Sequence, residues 1–362
     1  MDRRSFLKKA GLAGGAVAGS ALAAPALAQG KMELKMVTTW PKNFPGLGTG
    51  AQRLADRITT MTDGRITVKL FAAGELVPPF ESFDAVSTGT ADMYHGAEYY
   101  WQGKHKGFNF FAAVPLGLTA AEMDAWVHNM GGQELWDELA AGFNIKPFIA
   151  GNTGVQMGGW FNKEINTLED LKGLKMRMPG LGGEVLRQLG ATAVSLPGGE
   201  IFPSLQSGAI DATEWVGPWN DLAFGFYKVT KYYYYPGFHE PGTVLSSGMN
   251  KGVWDKLSAS DQEIIKSAMK ADAASMYAEF NANNGTALDT LINKHGVQLK
   301  KFPDEVFDAI GKVSNEVVAA AADDDMGKRI YESFAKARTD LGNWGGIAEQ
   351  AYLNARSRVL GS

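Results

Sequence analysis

Two charged side chains stand where solubility alone would not put them. Arg177 alternates with Leu174, Met176 and Met178 near the end of a strand pattern, directly before Pro179-Gly180. A guanidinium at a strand terminus in an α/β fold faces the crevice where such folds bind ligands, and it can grip a carboxylate through two parallel hydrogen bonds. The plain alternative is a surface ion pair, and the neighbouring Pro-Gly turn favours anion binding over it. Glu214 follows Asp211-Ala212-Thr213 and precedes Trp215. An acid at a strand exit beside a large aromatic tends to be buried, and a buried carboxylate needs a cation or a donor. Tyr99 and Tyr100, beside Trp101, follow a further strand pattern and either offer hydroxyls to a pocket or simply pack; Asn152 has the same standing. Thr39 and Trp40 leave the first strand at the same sheet edge and are placed near the crevice.

Other chemistries lack support. Gly46-Leu47-Gly48-Thr49-Gly50-Ala51 fits a loose dinucleotide pattern, but the preceding junction holds Pro41 and Pro45, and the next strand ends at Phe71 without a ribose-binding acid. The five histidines, His95, His105, His128, His239 and His295, show no paired helical spacing of the zinc-protease kind. The absence of cysteine excludes thiol catalysis, disulfides and thiolate metal sites.

Residues 1–28 read as a twin-arginine export signal: Arg3-Arg4-Ser5-Phe6-Leu7-Lys8, a mildly apolar Ala/Gly run, then the small-residue site Ala26-Leu27-Ala28. Asp2 against Arg3, Arg4, Lys8 and Lys9 makes this segment +3, so a whole-chain charge of -4 leaves the remainder at -7. An acidic remainder is a poor partner for nucleic acid or anionic membrane.

The elements that must position these residues follow from periodicity. Met32, Leu34 and Met36 alternate as a strand, Leu54, Ile58 and Met61 recur at helical spacing, and Ile66, Val68 and Leu70 alternate again, giving β-α-β. A short helix with Phe83 and Val86 ends at Gly89 before a strand beginning at Ala91. The same helix-Gly-strand device returns in Ser204 to Asp211, and Gly64-Arg65-Ile66 is echoed by Gly173-Leu174-Lys175, which points to two lobes of similar construction. Thr167 with Asp170 and Ser260 with Glu263 read as helix caps, Tyr232 to Tyr235 as a half-buried strand, and long helices occupy the chain from Leu257 onward. The expected architecture is α/β with two mixed-sheet lobes: 29–150 mainly the first, 151–250 mainly the second, and 251–362 a helical region bracing both, with the chain crossing between lobes more than once.

The segments "LGATAVSLPGGEIFPSLQSGAIDATE", "AEYYW", "GNTGVQMGGWFNKE", "EWVGPW" and "FHEPG" resemble the extracytoplasmic, DctP-type solute-binding subunits of tripartite ATP-independent periplasmic (TRAP) transporters. The similarity covers essentially the whole chain after the signal and is greatest to the 2-oxo acid (pyruvate-type) branch. The resemblance implies a periplasmic, non-enzymatic binder that closes by hinge motion around an organic anion held by Arg177, delivers it to TRAP membrane subunits, and in some members dimerises through a C-terminal helix. It further implies a cation, Na⁺ favoured and Ca²⁺ the alternative, held by Gln156, Glu214, the backbone of Trp215 and Glu240, all oxygen donors. Charge counting agrees: the anion, Glu214 and Glu240 outweigh Arg177 by two negative charges, which one cation largely relieves. Lactate and dicarboxylates are the alternative ligands, and an exported oxidoreductase is the alternative class.

Overall fold

The computed structural model describes residues 30–361; the export signal expected at 1–28 lies outside the described residues. Two mixed sheets form the framework. The first has the order β2-β1-β3-β10-β4, from β1 (Met32–Thr38), β2 (Ile66–Phe71), β3 (Met93–Gly96), β4 (Ile145–Asn152) and β10 (Val244–Asn250). The second runs β11-β9-β5-β8-β6-β7, from β5 (Gly159–Phe161), β6 (Lys175–Arg177), β7 (Thr192–Val194), β8 (Ala212–Thr213), β9 (Tyr232–Tyr235) and β11 (Gln298–Lys301).

In the first sheet β1 pairs in parallel with β2 and β3, while β10 runs antiparallel to β3 and β4. β10 therefore lies in the first sheet although it closes the 151–250 stretch expected to be mainly second lobe. The chain passes between sheets three times: through 153–158, through 236–243, and along the helix Ala259–Asn293, which precedes β11. That 35-residue helix packs on β4, on the helix Gly48–Met61 and on the helix Pro218–Phe224, so it touches the elements of both sheets.

Local chemistry explains most boundaries. Gly89 and Gly208 both take left-handed backbone after their helices, with φ of 83° and 74°, before β3 and β8 begin. β3 starts at Met93 rather than Ala91, because residues 88–92 are spent on the turn. Thr167 and Asp170 form a capping box, on one tight turn, Leu168–Leu171. The cap of the long helix is a correction: Ser258 accepts from the backbone N–H of Asp261 at 3.1 Å, two residues ahead of the expected Ser260 and Glu263. The glycines at 46–50 serve packing. A Cβ at Gly48 would stand 2.5 Å from the carbonyl oxygen of Pro41, one at Gly46 2.9 Å from Phe280 and Trp219, and one at Gly50 would overlap Met276.

After the helix Asp325–Gly345 the chain continues helically to Leu360, and Trp344, Ile347, Tyr352, Val359 and Leu360 along this stretch are exposed. Among the described residues no helix is long and apolar enough to cross a membrane.

Candidate functional site

The site forms because β6 and β8 are parallel neighbours. Their register sets Arg177 opposite Thr213, and the backbone N–H of Glu214 donates to the carbonyl of Arg177 at 3.3 Å. Two side chains 37 residues apart thus leave adjacent strands at one edge, as ligand-binding groups do in α/β sheets. Two crossovers supply the rest. Residues 153–158 and 236–243 are zipped by Thr153 to Thr243, Gln156 to Glu240 and Gly237 to Gln156 backbone hydrogen bonds, at 3.0–3.1 Å. Gln156 and Glu240 are brought face to face on this ribbon.

Arg177 and Glu214 are each 1 % exposed. The guanidinium Nη1 donates to Glu214 Oε1 and, at 3.2 Å, to the Glu214 carbonyl; Nε donates to Leu196 O at 3.2 Å, and Nη2 faces the Tyr100 hydroxyl at 3.5 Å. The Trp215 ring lies 5.2 Å from the guanidinium carbon, a cation–π distance. Glu240 Oε2 accepts from Gln156 Nε2 at 2.7 Å, from Thr243 Oγ1 at 2.6 Å and from Tyr99 OH at 3.4 Å. A small cavity between the sheets is walled by Trp40, Tyr99, Tyr100, Gln156 and Trp215.

Of the residues expected at the site, Arg177, Glu214, Trp215, Gln156, Glu240, Tyr99 and Tyr100 converge. Asn152 and Thr39 make no hydrogen bond to this cluster. The Asn152 amide donates to Gly242 O at 3.2 Å and its oxygen accepts from Gly154 N–H at 2.8 Å, so it ties the two crossovers together. Thr39 is buried over Gly96, and its neighbour Trp40 reaches the cavity instead, its indole N–H donating to His95 Nδ1 at 2.8 Å. His239 joins the site without having been singled out: its Nε2 is 3.3 Å from Glu214 Oε2. A lone histidine carries no spacing signal, and its adjacency to Glu240 was the one available hint.

Burial governs the electrostatics. It pushes Glu240 up to about 7, reinforced by the nearby Glu214 carboxylate. Tyr100 is raised to about 12 and Tyr99 well above its ordinary value, again chiefly by burial, so both stay neutral hydroxyl donors. Burial disfavours the charge on Arg177, but Glu214 and the surrounding oxygens outweigh it and the guanidinium stays protonated.

The donor set suits a cation. Glu214 Oε2 and Gln156 Oε1 are buried with no hydrogen-bond partner, and the ligating atoms of Glu214, His239 and Glu240 lie within 4.8 Å of one another. Buried oxygens left unpaired are costly unless an ion or ligand takes them. Gln156 Nε2 is occupied by Glu240, Thr153 and Thr243, which fixes the amide with its oxygen free.

Two sheets joined by three crossings around a buried, aromatic-walled cavity with a charged cluster beside it have the build of a two-lobed solute-binding protein. Residues 36–325 match the model of the bacterial extracellular solute-binding proteins, family 7, and the chain belongs to that family, the solute-binding subunits of TRAP transporters. It is 42 % identical over 324 residues to a monocarboxylate 2-oxoacid-binding periplasmic protein of Nostoc sp., covering 89 % of this chain and 88 % of that one. The crystal structure of a TRAP periplasmic solute-binding protein from Pseudoalteromonas atlantica with bound sodium and pyruvate superimposes with TM-score 0.87 at 42 % identity, covering 90 % of this chain and 99 % of that one. A TRAP solute-binding protein from Bordetella bronchiseptica, a mixed-occupancy dimer with calcium and picolinate in one active site, matches with TM-score 0.90 at 36 % identity, covering 92 % and 99 %.

Proposed function

We propose that this chain is the periplasmic receptor of a TRAP transporter for a short 2-oxo acid, pyruvate in the first instance, captured together with a Na⁺ or Ca²⁺ ion. The observation that carries this reading is the meeting, in one buried cluster, of the Arg177 guanidinium with two unpartnered oxygens, Glu214 Oε2 and Gln156 Oε1. A 2-oxo acid offers a carboxylate for the guanidinium and a carboxylate–carbonyl pair that chelates a hard cation. The cation then carries part of the specificity. Glu240 and the Trp215 carbonyl complete its ligands, and Tyr99 and Tyr100 donate to the anion. The relatives that bind pyruvate with sodium, or picolinate with calcium, fit the same chemistry, since each ligand sets a second donor atom beside its carboxylate.

Calorimetric titration of ligand-stripped protein with pyruvate in Na⁺, Ca²⁺ or K⁺ with chelator tests this. Tight binding should need Na⁺ or Ca²⁺, and Arg177→Ala should weaken it by at least about 100-fold, the cost of truncating one partner of a buried charge pair. Cation-indifferent binding, or a preference for dicarboxylates, would overturn the reading. Residues 1–28 are proposed to export the folded chain through the twin-arginine route, with the TRAP membrane subunits as its partners.

The exposed apolar run from Trp344 to Leu360 supports a homodimer, since a solvent-facing stripe of this kind ordinarily marks an interface. Light scattering should give twice the monomer mass, and deletion of 346–362 should give the monomer with the pyruvate affinity kept. A wild-type monomer at all concentrations would refute it.

A further inference from the structure

His239 is 2 % exposed, and neither of its ring nitrogens has a hydrogen-bond partner. A buried imidazole ordinarily donates from one nitrogen and accepts at the other. Its Nε2 stands 3.3 Å from Glu214 Oε2, which is equally unpartnered, so the two atoms are close without forming a directed hydrogen bond. That separation is what two adjacent ligands of one ion show, because metal–ligand bonds of about 2.0–2.4 Å at roughly 90° place the donor atoms about 2.8–3.4 Å apart. The ring is also fixed in place. A Cβ on Gly182 would stand 2.7 Å from the His239 Cβ, so the helix Gly180–Gln188 closes over the side chain, and Phe238 packs edge-on with ring centroids 5.4 Å apart.

We propose that His239 is a nitrogen ligand of the cation site, which makes the donor set mixed nitrogen–oxygen and opens it to Mn²⁺- and Zn²⁺-class divalent ions as well as to hard cations. This rests on the cation reading above and adds a donor to the all-oxygen set of Gln156, Glu214, Trp215 and Glu240. Imidazole favours borderline metals, so His239 sets the preference among divalent ions while the carboxylates set the charge. Glu214 and Glu240, the two acids facing the imidazole, supply the negative charge that a divalent ion needs, and Gln156 Oε1 supplies a neutral oxygen.

The test is electron paramagnetic resonance of metal-stripped protein titrated with Mn²⁺, with pyruvate present, in wild type and in His239→Gln, alongside Ca²⁺ titrations of both. Pulsed spectra of the wild type should show ¹⁴N modulation from a bound imidazole that His239→Gln lacks. The substitution should weaken Mn²⁺ about 10- to 100-fold and Ca²⁺ by less than about threefold. Bound Mn²⁺ without nitrogen coupling, or equal losses for both ions, would overturn the ligand role while leaving an oxygen-lined site standing. Failure of Mn²⁺ and Ca²⁺ alike to bind the wild type would overturn the divalent site and with it the ligand role, and pyruvate binding indifferent to Na⁺ as well would overturn the cation reading itself. Should His239→Gln not fold, the wild-type nitrogen coupling decides alone.

Discussion

Asp221 holds the site from behind. Its Oδ2 accepts from Tyr233 OH at 2.6 Å and Trp160 Nε1 at 3.0 Å, and its Oδ1 from Val216 N–H at 3.3 Å, pinning the turn that carries Trp215. Burial raises its pKa to about 7 despite those donors, and Glu98, buried beside Tyr94, is likewise raised to about 7. A carboxyl with a raised folded-state pKa binds more protons folded than unfolded between its ordinary value and the raised one, so it costs stability as pH climbs. The melting temperature of ligand-free protein should fall from about pH 4 to 7, and Asp221→Asn should flatten that slope. An unchanged slope in the variant would show that Asp221 does not titrate in this window. At this scale the sequence was legible where position constrained chemistry. Arg177 and Glu214 end adjacent strands, and strand ends face the crevice. His239 was illegible because one imidazole has no periodicity, and the tie that Asn152 makes between the two chain crossings carries no local signal.

Elements of the two lobes also meet away from the ligand. The loop after β1 sends Phe44 against Phe224 and Trp215, at centroid distances of 4.3 and 6.2 Å, and the Asn220 amide donates to Pro45 O at 3.0 Å. These contacts join the two lobes at a distance from the proposed anion site and should stabilise the proposed closed form. Asn220→Ala should therefore raise the pyruvate Kd about three- to tenfold, chiefly through faster release, as expected for one lost buried hydrogen bond. Stopped-flow release at the wild-type rate would rule out this latch. Element boundaries show how far pattern reading reaches. Ser258-x-x-Asp261 and Ser260-x-x-Glu263 are equivalent as local signals, and the choice between them belongs to the burial of Leu257 and Ile265. Gly89 and Gly208 needed no such help, because left-handed backbone after a helix selects glycine directly.

On the scale of the molecule, the repeated helix-Gly-strand junctions foretold two sheets of related construction, and two sheets are present. The return of β10 to the first sheet was not foretold: its pairing with β3 and β4 spans 150 and 92 residues of separation at Ser246–Gly96 and Val244–Asn152, and local patterns carry no such information. Those long-range pairings make the crossovers short and mutually bonded, so the lobes are joined by a narrow ribbon reinforced by the helix Ala259–Asn293. Hinge motion about such a ribbon changes the pocket walls together. Trp40 and Trp215, with ring centroids 6.1 Å apart, come one from each lobe, and Trp215 also lies on the Arg177 guanidinium. The indole pair is therefore the expected internal optical gauge of the proposed closure: parting the lobes would exchange a dry, cation-contacted environment for water, and the protein's own ultraviolet emission should report its occupancy without any attached dye.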